Sequence, residues 1–152
     1  MSIEARLKEL GVELSAPPAP AANYVPAVRS GNLLFVSGQI SADGDGMIRG
    51  RLGDDLGIEG GQRAARACAV ALLAQVRAAM DGDIERLRRV VKLTGFVNSG
   101  PDFLDQPKVV NGASDFLVEV LGDRGRHSRS AVSAAALPFG VAVEIEGIFE
   151  VE

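Results

Sequence analysis

The 152-residue chain has no tryptophan, one tyrosine, one histidine and one cysteine, and only 5% of it is aromatic. The lone cysteine, Cys68, excludes an intrachain disulfide and suits a reducing compartment. It sits among Ala67, Ala69 and Val70, where a small buried residue is expected rather than a nucleophile. One histidine, one cysteine and scattered carboxylates do not compose a metal-ligand set, so neither a metal nor another cofactor is expected. There is no apolar run of membrane-spanning length and no positively charged, apolar leader, which predicts a cytoplasmic protein without membrane attachment. Positive charge is also short: 16 Lys and Arg stand against 20 Asp and Glu, giving a net charge of −4. Nucleic-acid binders carry a basic footprint, and these totals contain none. The densest basic cluster, Arg86, Arg88, Arg89 and Lys92, reads as a solvated helix end.

What the chain has is small apolar residues. Hydrophobic residues make up 47% and mean hydropathy is +0.15, so a single core of Ala, Val, Leu and Ile is expected. The surplus apolar surface points to an oligomer interface. Residues 1–22 read as an N-terminal arm: Ser2 caps a short helix through Leu10, Gly11 stops it, and Ser15 to Ala22 is an extended Pro/Ala linker. Residues 23–152 read as one domain.

Within that domain Tyr24 to Val28 and Leu33 to Ile40 read as strands around a Ser30-Gly31-Asn32 turn, with a further strand expected over Met47 to Leu52. The many glycines between Gly44 and Gly61 lack phosphate-loop spacing and are turn residues. A long helix is expected from Gly61 to Met80, its stripe formed by Ala65, Ala69, Leu72, Val76 and Met80. A helical turn over Ile84 to Arg88, a buried central strand from Val90 to Asn98 and a second helix from Gln106 to Leu121 follow. This order predicts an α+β fold, a two-layer mixed β-sheet with two helices on one face.

The chemistry concentrates at the C-terminus. Gly125-Arg126-His127-Ser128-Arg129-Ser130-Ala131-Val132 and Val141-Ala142-Val143-Glu144-Ile145-Glu146 read as neighbouring strands joined by a tight Leu137-Pro138-Phe139-Gly140 turn. Alternation puts Arg129 and Ala131 on one face of the first, and Glu144 and Glu146 together on the second. An arginine beside carboxylates either holds a small carboxylate and moves protons next to it, or forms an ordinary cross-strand ion pair.

These segments resemble the signature of the Rid family (YjgF-like or UK114-like proteins, also called endoribonuclease L-PSP). The C-terminal Arg-Ser-x-Val, Leu-Pro and Val-Glu-Ile-Glu elements, Ser37-Gly38-Gln39-Ile40, the helix opening at Gln62 to Arg66, and Val91 to Val97 all match, in order. The resemblance implies a chorismate-mutase-like (YjgF) fold and a homotrimer with a ligand cleft at each subunit interface. It further implies hydrolysis of small carboxylate-bearing enamines or imines, such as 2-aminoacrylate, to 2-keto acids and ammonia. By position Arg129 grips the substrate carboxylate and Glu144 is the acid/base, with Glu146 in reserve. Tyr24 would wall the site, Ser37 and Gly38 would offer backbone groups, and Asn111 would reach a neighbouring cleft. One departure stands out: many deaminating members carry Cys or Thr where this chain has Ala131, and His127 is the candidate to supply a polar group instead. A non-catalytic carboxylate-binding module and an endoribonuclease or translation inhibitor are the alternatives.

Overall fold

The computed structural model describes residues 1–19 and 22–152. Pro20 and Ala21 of the expected linker lie outside the described residues. A five-stranded mixed sheet carries two long helices on one face, the layer plan expected from sequence. The helices are α2 (Ile58–Ala79) and α3 (Gln106–Leu121), and α1 (Ile3–Glu9) precedes them. The sheet is built from β1 (Ala27–Ser30), β2 (Leu33–Ile40), β5 (Leu87–Asn98), β6 (Ser128–Ala134) and β7 (Val143–Val151), in the order β1-β2-β7-β5-β6. A separate two-stranded ribbon pairs β3 (Ala42–Asp43) with β4 (Gly46–Met47).

Side-chain size sets the closeness of the layers. The Ala65, Ala69, Leu72 and Val76 stripe of α2 is buried, and so is Met80 at its C-cap. Gly112 of α3 lies so close to the Gln62 carbonyl of α2 that a Cβ there would overlap it, and Gly95 of β5 leaves room for Val110 of α3. Small residues at these crossings let the helices approach each other and the sheet. The N-terminal helix shares this core: Ile3 and Leu7 are buried within it. Ser2 Oγ accepts from the Ala5 N–H, as its capping role predicts. The Glu85 carboxylate accepts from the Ile3 and Glu4 N–H groups at 2.9 and 3.0 Å, holding the positive end of α1 against the domain.

Several expectations are corrected. The strand expected from Tyr24 begins only at Ala27. Met47 to Leu52 is not a strand; beyond the short ribbon, Arg49 and Leu52 make only isolated bridges, because Gly50 and Gly53 turn the backbone with positive φ. Helix α2 starts at Ile58, with Gly57 as its N-cap, rather than at Gly61. Arg88, Arg89 and Lys92 belong to β5, not to a helix end. Most consequential, β6 and β7 are not neighbours. β5, α3 and β6 form a β-α-β crossover, which makes β6 parallel to β5 and puts it on the outer side. β7 then pairs antiparallel with the opposite side of β5 and with β2. The Pro138–Gly140 turn, with Phe139 at φ 58°, leads away from β6, and Val141 bridges to Arg49.

Candidate functional site

Residue pairing divides the candidate residues into two groups. Arg129 is paired with Leu93 and Ala131 with Gly95, both on the helix-covered side of β5. Glu144 is paired with Phe96 and alternates with buried Val143 and Ile145, so it lies on the uncovered face. Arg129 and Glu144 are therefore on opposite faces of one sheet, with β5 between their strands. The Arg–Glu cross-strand pair suggested by the sequence does not form within the chain.

The first group surrounds a β-bulge. Between Val36 and Gln39 the register of β2 slips, so Ser37 and Gly38 together face the single residue Glu146 of β7. The bulge turns the bare Cα of Gly38 toward the Glu144 carboxylate, whose Oε2 overlaps the position a Cβ would take. Ser37 Oγ donates to the Val25 carbonyl at 3.1 Å and its N–H donates to Pro26 O at 2.9 Å. These bonds tie the Tyr24 segment to the bulge, with Tyr24 itself exposed. Partial burial pushes the Glu144 carboxyl above its ordinary pKa, and the charge of Glu146 adds to the shift. Glu146 is itself exposed.

The second group lies between β6 and α3. Arg129 Nη1 donates to Ser114 Oγ at 3.0 Å and Nη2 donates to the Pro107 carbonyl at 3.1 Å. His127 reaches the same hydroxyl: Nε2 is 2.9 Å from Ser114 Oγ, while Nδ1 is 2.6 Å from the Gly125 carbonyl. Burial lowers the His127 pKa, the Gly125 carbonyl opposes the shift, and the Arg129 charge lowers it further. Asn111 is half-buried on α3, four residues after Pro107 and three before Ser114, and so shares their stripe. Ser114 was not singled out from sequence. No local signal marked it, because a lone serine on a helix reads as a solvated position.

Cys68 is buried, donates to the Val143 carbonyl at 3.5 Å and has its thiol pKa pushed up by burial, as a core residue would. Among the described residues no three His, Cys, Asp or Glu side chains could together hold a metal ion. Among the described residues no helix is long and apolar enough to cross a membrane.

A family model described as "YjgF/chorismate_mutase-like, putative endoribonuclease" matches residues 4–146. The chain belongs to this family, the Rid family. Protein TCP17 of Trypanosoma cruzi is 50% identical over 150 residues, covering 97% of this chain and 93% of that protein. The crystal structure of Atu1372 from Agrobacterium tumefaciens, a protein of unknown function, is 51% identical with a TM-score of 0.91, over 99% of this chain and 92% of that one. Escherichia coli TdcF, crystallised with bound serine, is 25% identical with a TM-score of 0.62, over 90% of this chain and 94% of that one. The fold is thus the YjgF/chorismate-mutase-like one. The match to the Agrobacterium structure takes in nearly the whole chain, N-terminal helix included.

Proposed function

We propose that this Rid protein hydrolyses small carboxylate-bearing enamines and imines of the 2-aminoacrylate type to 2-keto acids and ammonia, in clefts between the subunits of a homotrimer. The observation that carries the reading is the state of Glu144. A carboxyl group seated over a bare glycine, its pKa pushed above the ordinary value by burial and by the Glu146 charge, is suited to take up a proton and give it back. Arg129 supplies the complementary group, a guanidinium with donors left over after its two bonds to α3, matched to a carboxylate. The serine bound to TdcF is a small amino acid of the same carboxylate class.

The separation of the two groups supports subunit assembly. They occupy opposite faces of one sheet, so a site that uses both is built from two copies. The uncovered face suits such contact: Val28, Phe35 and Val132 are exposed on it, and Phe96 and Ile148 are only half-covered. Strand β6 is also an edge strand, open to a neighbour.

In the reaction, Arg129 fixes the carboxylate of the protonated imine. Water attacks C2, the C=N π pair moves to nitrogen, and Glu144 takes the proton that water loses. Glu144 then protonates the amino group of the carbinolamine. The C–N bond breaks with its electron pair on nitrogen, and an oxygen lone pair closes C=O. The last proton leaves with ammonia as ammonium, so Glu144 begins and ends as a carboxylate.

A second reading, a carboxylate-binding module without turnover, is favoured by Ala131, which removes the Cys or Thr that many deaminating relatives place there. The deciding experiment generates 2-aminoacrylate in situ with a pyridoxal-phosphate lyase and follows keto-acid release. Acceleration that is lost in Arg129→Ala supports the enzyme. Saturable 2-ketobutyrate binding without acceleration supports the module.

A further inference from the structure

We propose that Ser114 and His127 form a hydrogen-bonded relay that aims Arg129 at its ligand, a positioning device that stands in for the polar side chain missing at Ala131. The proposal rests on the reading of Arg129 as the carboxylate clamp. It is carried by a chain of three bonds whose polarity has one consistent assignment. The Gly125 carbonyl can only accept, so His127 Nδ1 carries a proton. In the neutral ring Nε2 is then an acceptor, and the Ser114 hydroxyl donates to it. Arg129 Nη1 can only donate, so it uses a lone pair of the same hydroxyl. A backbone carbonyl thus fixes a tautomer, the tautomer orients a hydroxyl, and the hydroxyl presents its lone pair to the guanidinium.

The alternative protonation state breaks the chain. An imidazolium would donate from Nε2 to Ser114, leaving the serine proton to find another acceptor and setting two cations against one oxygen. Burial and the Arg129 charge both act against that state. The geometry also restrains Arg129 from two points of α3, the Ser114 hydroxyl and the Pro107 carbonyl, two turns apart on one stripe. A planar guanidinium held at both Nη atoms has its plane fixed, and fork-like recognition of a carboxylate depends on that plane. Ala131 is two residues on along the same face and has no polar side-chain group to contribute, whereas Ser114 reaches Arg129 directly and His127 reaches it through Ser114.

The test uses the full-length protein, 2-ketobutyrate titrations and the imidazole 15N resonances of His127, which is the chain's single histidine and needs no assignment. Ser114→Ala and His127→Phe should each weaken 2-ketobutyrate binding about tenfold or more, the order of effect of one lost hydrogen bond to a charged group. The double variant should be no weaker than either single one, because both cut the same chain. Ser114→Thr should restore binding, since it keeps the hydroxyl. In wild type the Nε2 signal should lie in the unprotonated range at neutral pH and move on saturation with 2-ketobutyrate. Wild-type affinity in Ser114→Ala, with binding lost in Arg129→Ala, would overturn the relay and leave the clamp standing. Additive losses in the double variant, or a protonated Nε2 in wild type, would overturn the relay as well. Unchanged binding in Arg129→Ala would remove the clamp and the relay together.

Discussion

Glu144 Oε2 occupies the space a β-carbon on Gly38 would need. The β2 bulge creates this contact by presenting an unsubstituted Cα to β7, and a methyl group added there would meet chiefly the end of one flexible side chain. Gly38 is also not at positive φ, so alanine fits the backbone. Gly38→Ala is therefore expected to change stability by about 1 kcal/mol or less. It should nevertheless push the Glu144 carboxylate aside and lower imine hydrolysis at least about tenfold. Keto-acid release and thermal melts on the same preparation check this. An active variant would show that the carboxylate need not sit over the bulge.

Glu144→Gln keeps the shape of the side chain and removes the base. Turnover should fall roughly a hundredfold or more while 2-ketobutyrate binding is kept. The same variant has a stability signature with a defined sign. Because the folded carboxyl titrates above its ordinary value of 4.5, the folded state holds the proton more tightly than the unfolded chain. Folding is penalised where the group is ionised. That penalty is absent well below 4.5, grows as pH rises from there to the raised folded value, and is complete above it. Wild type and Glu144→Gln should melt alike at about pH 3.5, and the variant should melt higher at about pH 7.5. A lower melting temperature for the variant at the higher pH would mean that Glu144 is a structural strut.

The strands and helices that announce themselves by local pattern were legible in the sequence. Leu33–Ile40 and Gln106–Leu121 have the expected ends, and the α2 stripe is the buried one. Strand neighbours were not legible, because pairing is decided by non-local topology. A Pro/Gly turn between two short strands reads as a hairpin, yet the crossover through α3 claims β6 for a parallel pair with β5 and sends β7 to the far side. The alternation of side chains survives that change, so Arg129 and Ala131 do share a face, as do Glu144 and Glu146. The relation between the two pairs does not survive it. Ser114 was invisible for a related reason: only the packing of α3 on β6 turns an isolated helical serine into the partner of both His127 and Arg129. The bulge at Ser37 and Gly38 had one local clue, a glycine inside a strand pattern.

If both groups of residues serve one site, the protein assembles, and its uncovered sheet face is where assembly is most easily broken. Light scattering coupled to size exclusion should report a mass about three times 15.9 kDa. Val132 is exposed on that face and paired with Phe96. Val132→Asp should therefore shift the mass toward a single chain and reduce deamination in parallel, without unfolding the core. A wild-type monomer at micromolar concentration would sink both the trimer and the interfacial cleft. A monomeric Val132→Asp variant with full activity would remove the need for a second copy.

The family description also carries an endoribonuclease label, and charge argues against that activity here. Binding RNA requires neutralising several phosphates, and with few cations free to do so little counterion release is available to drive binding at physiological salt. The chain carries a net charge of −4. Its basic run on β5 is partly occupied within the fold: Arg88 is ion-paired with Glu152, and Arg89 donates to the Arg126 carbonyl at 3.0 Å. Arg129 is tied to α3 rather than presented on a basic surface. Highly purified protein should therefore leave a single-stranded RNA intact over hours at physiological salt, and electrophoretic shifts should be absent at micromolar protein. Any trace cleavage should separate from the main peak on a second column and persist in Arg129→Ala. Cleavage that copurifies with the protein through both columns and disappears in Arg129→Ala would place RNA chemistry at this site, and the deaminase reading would have to yield to it.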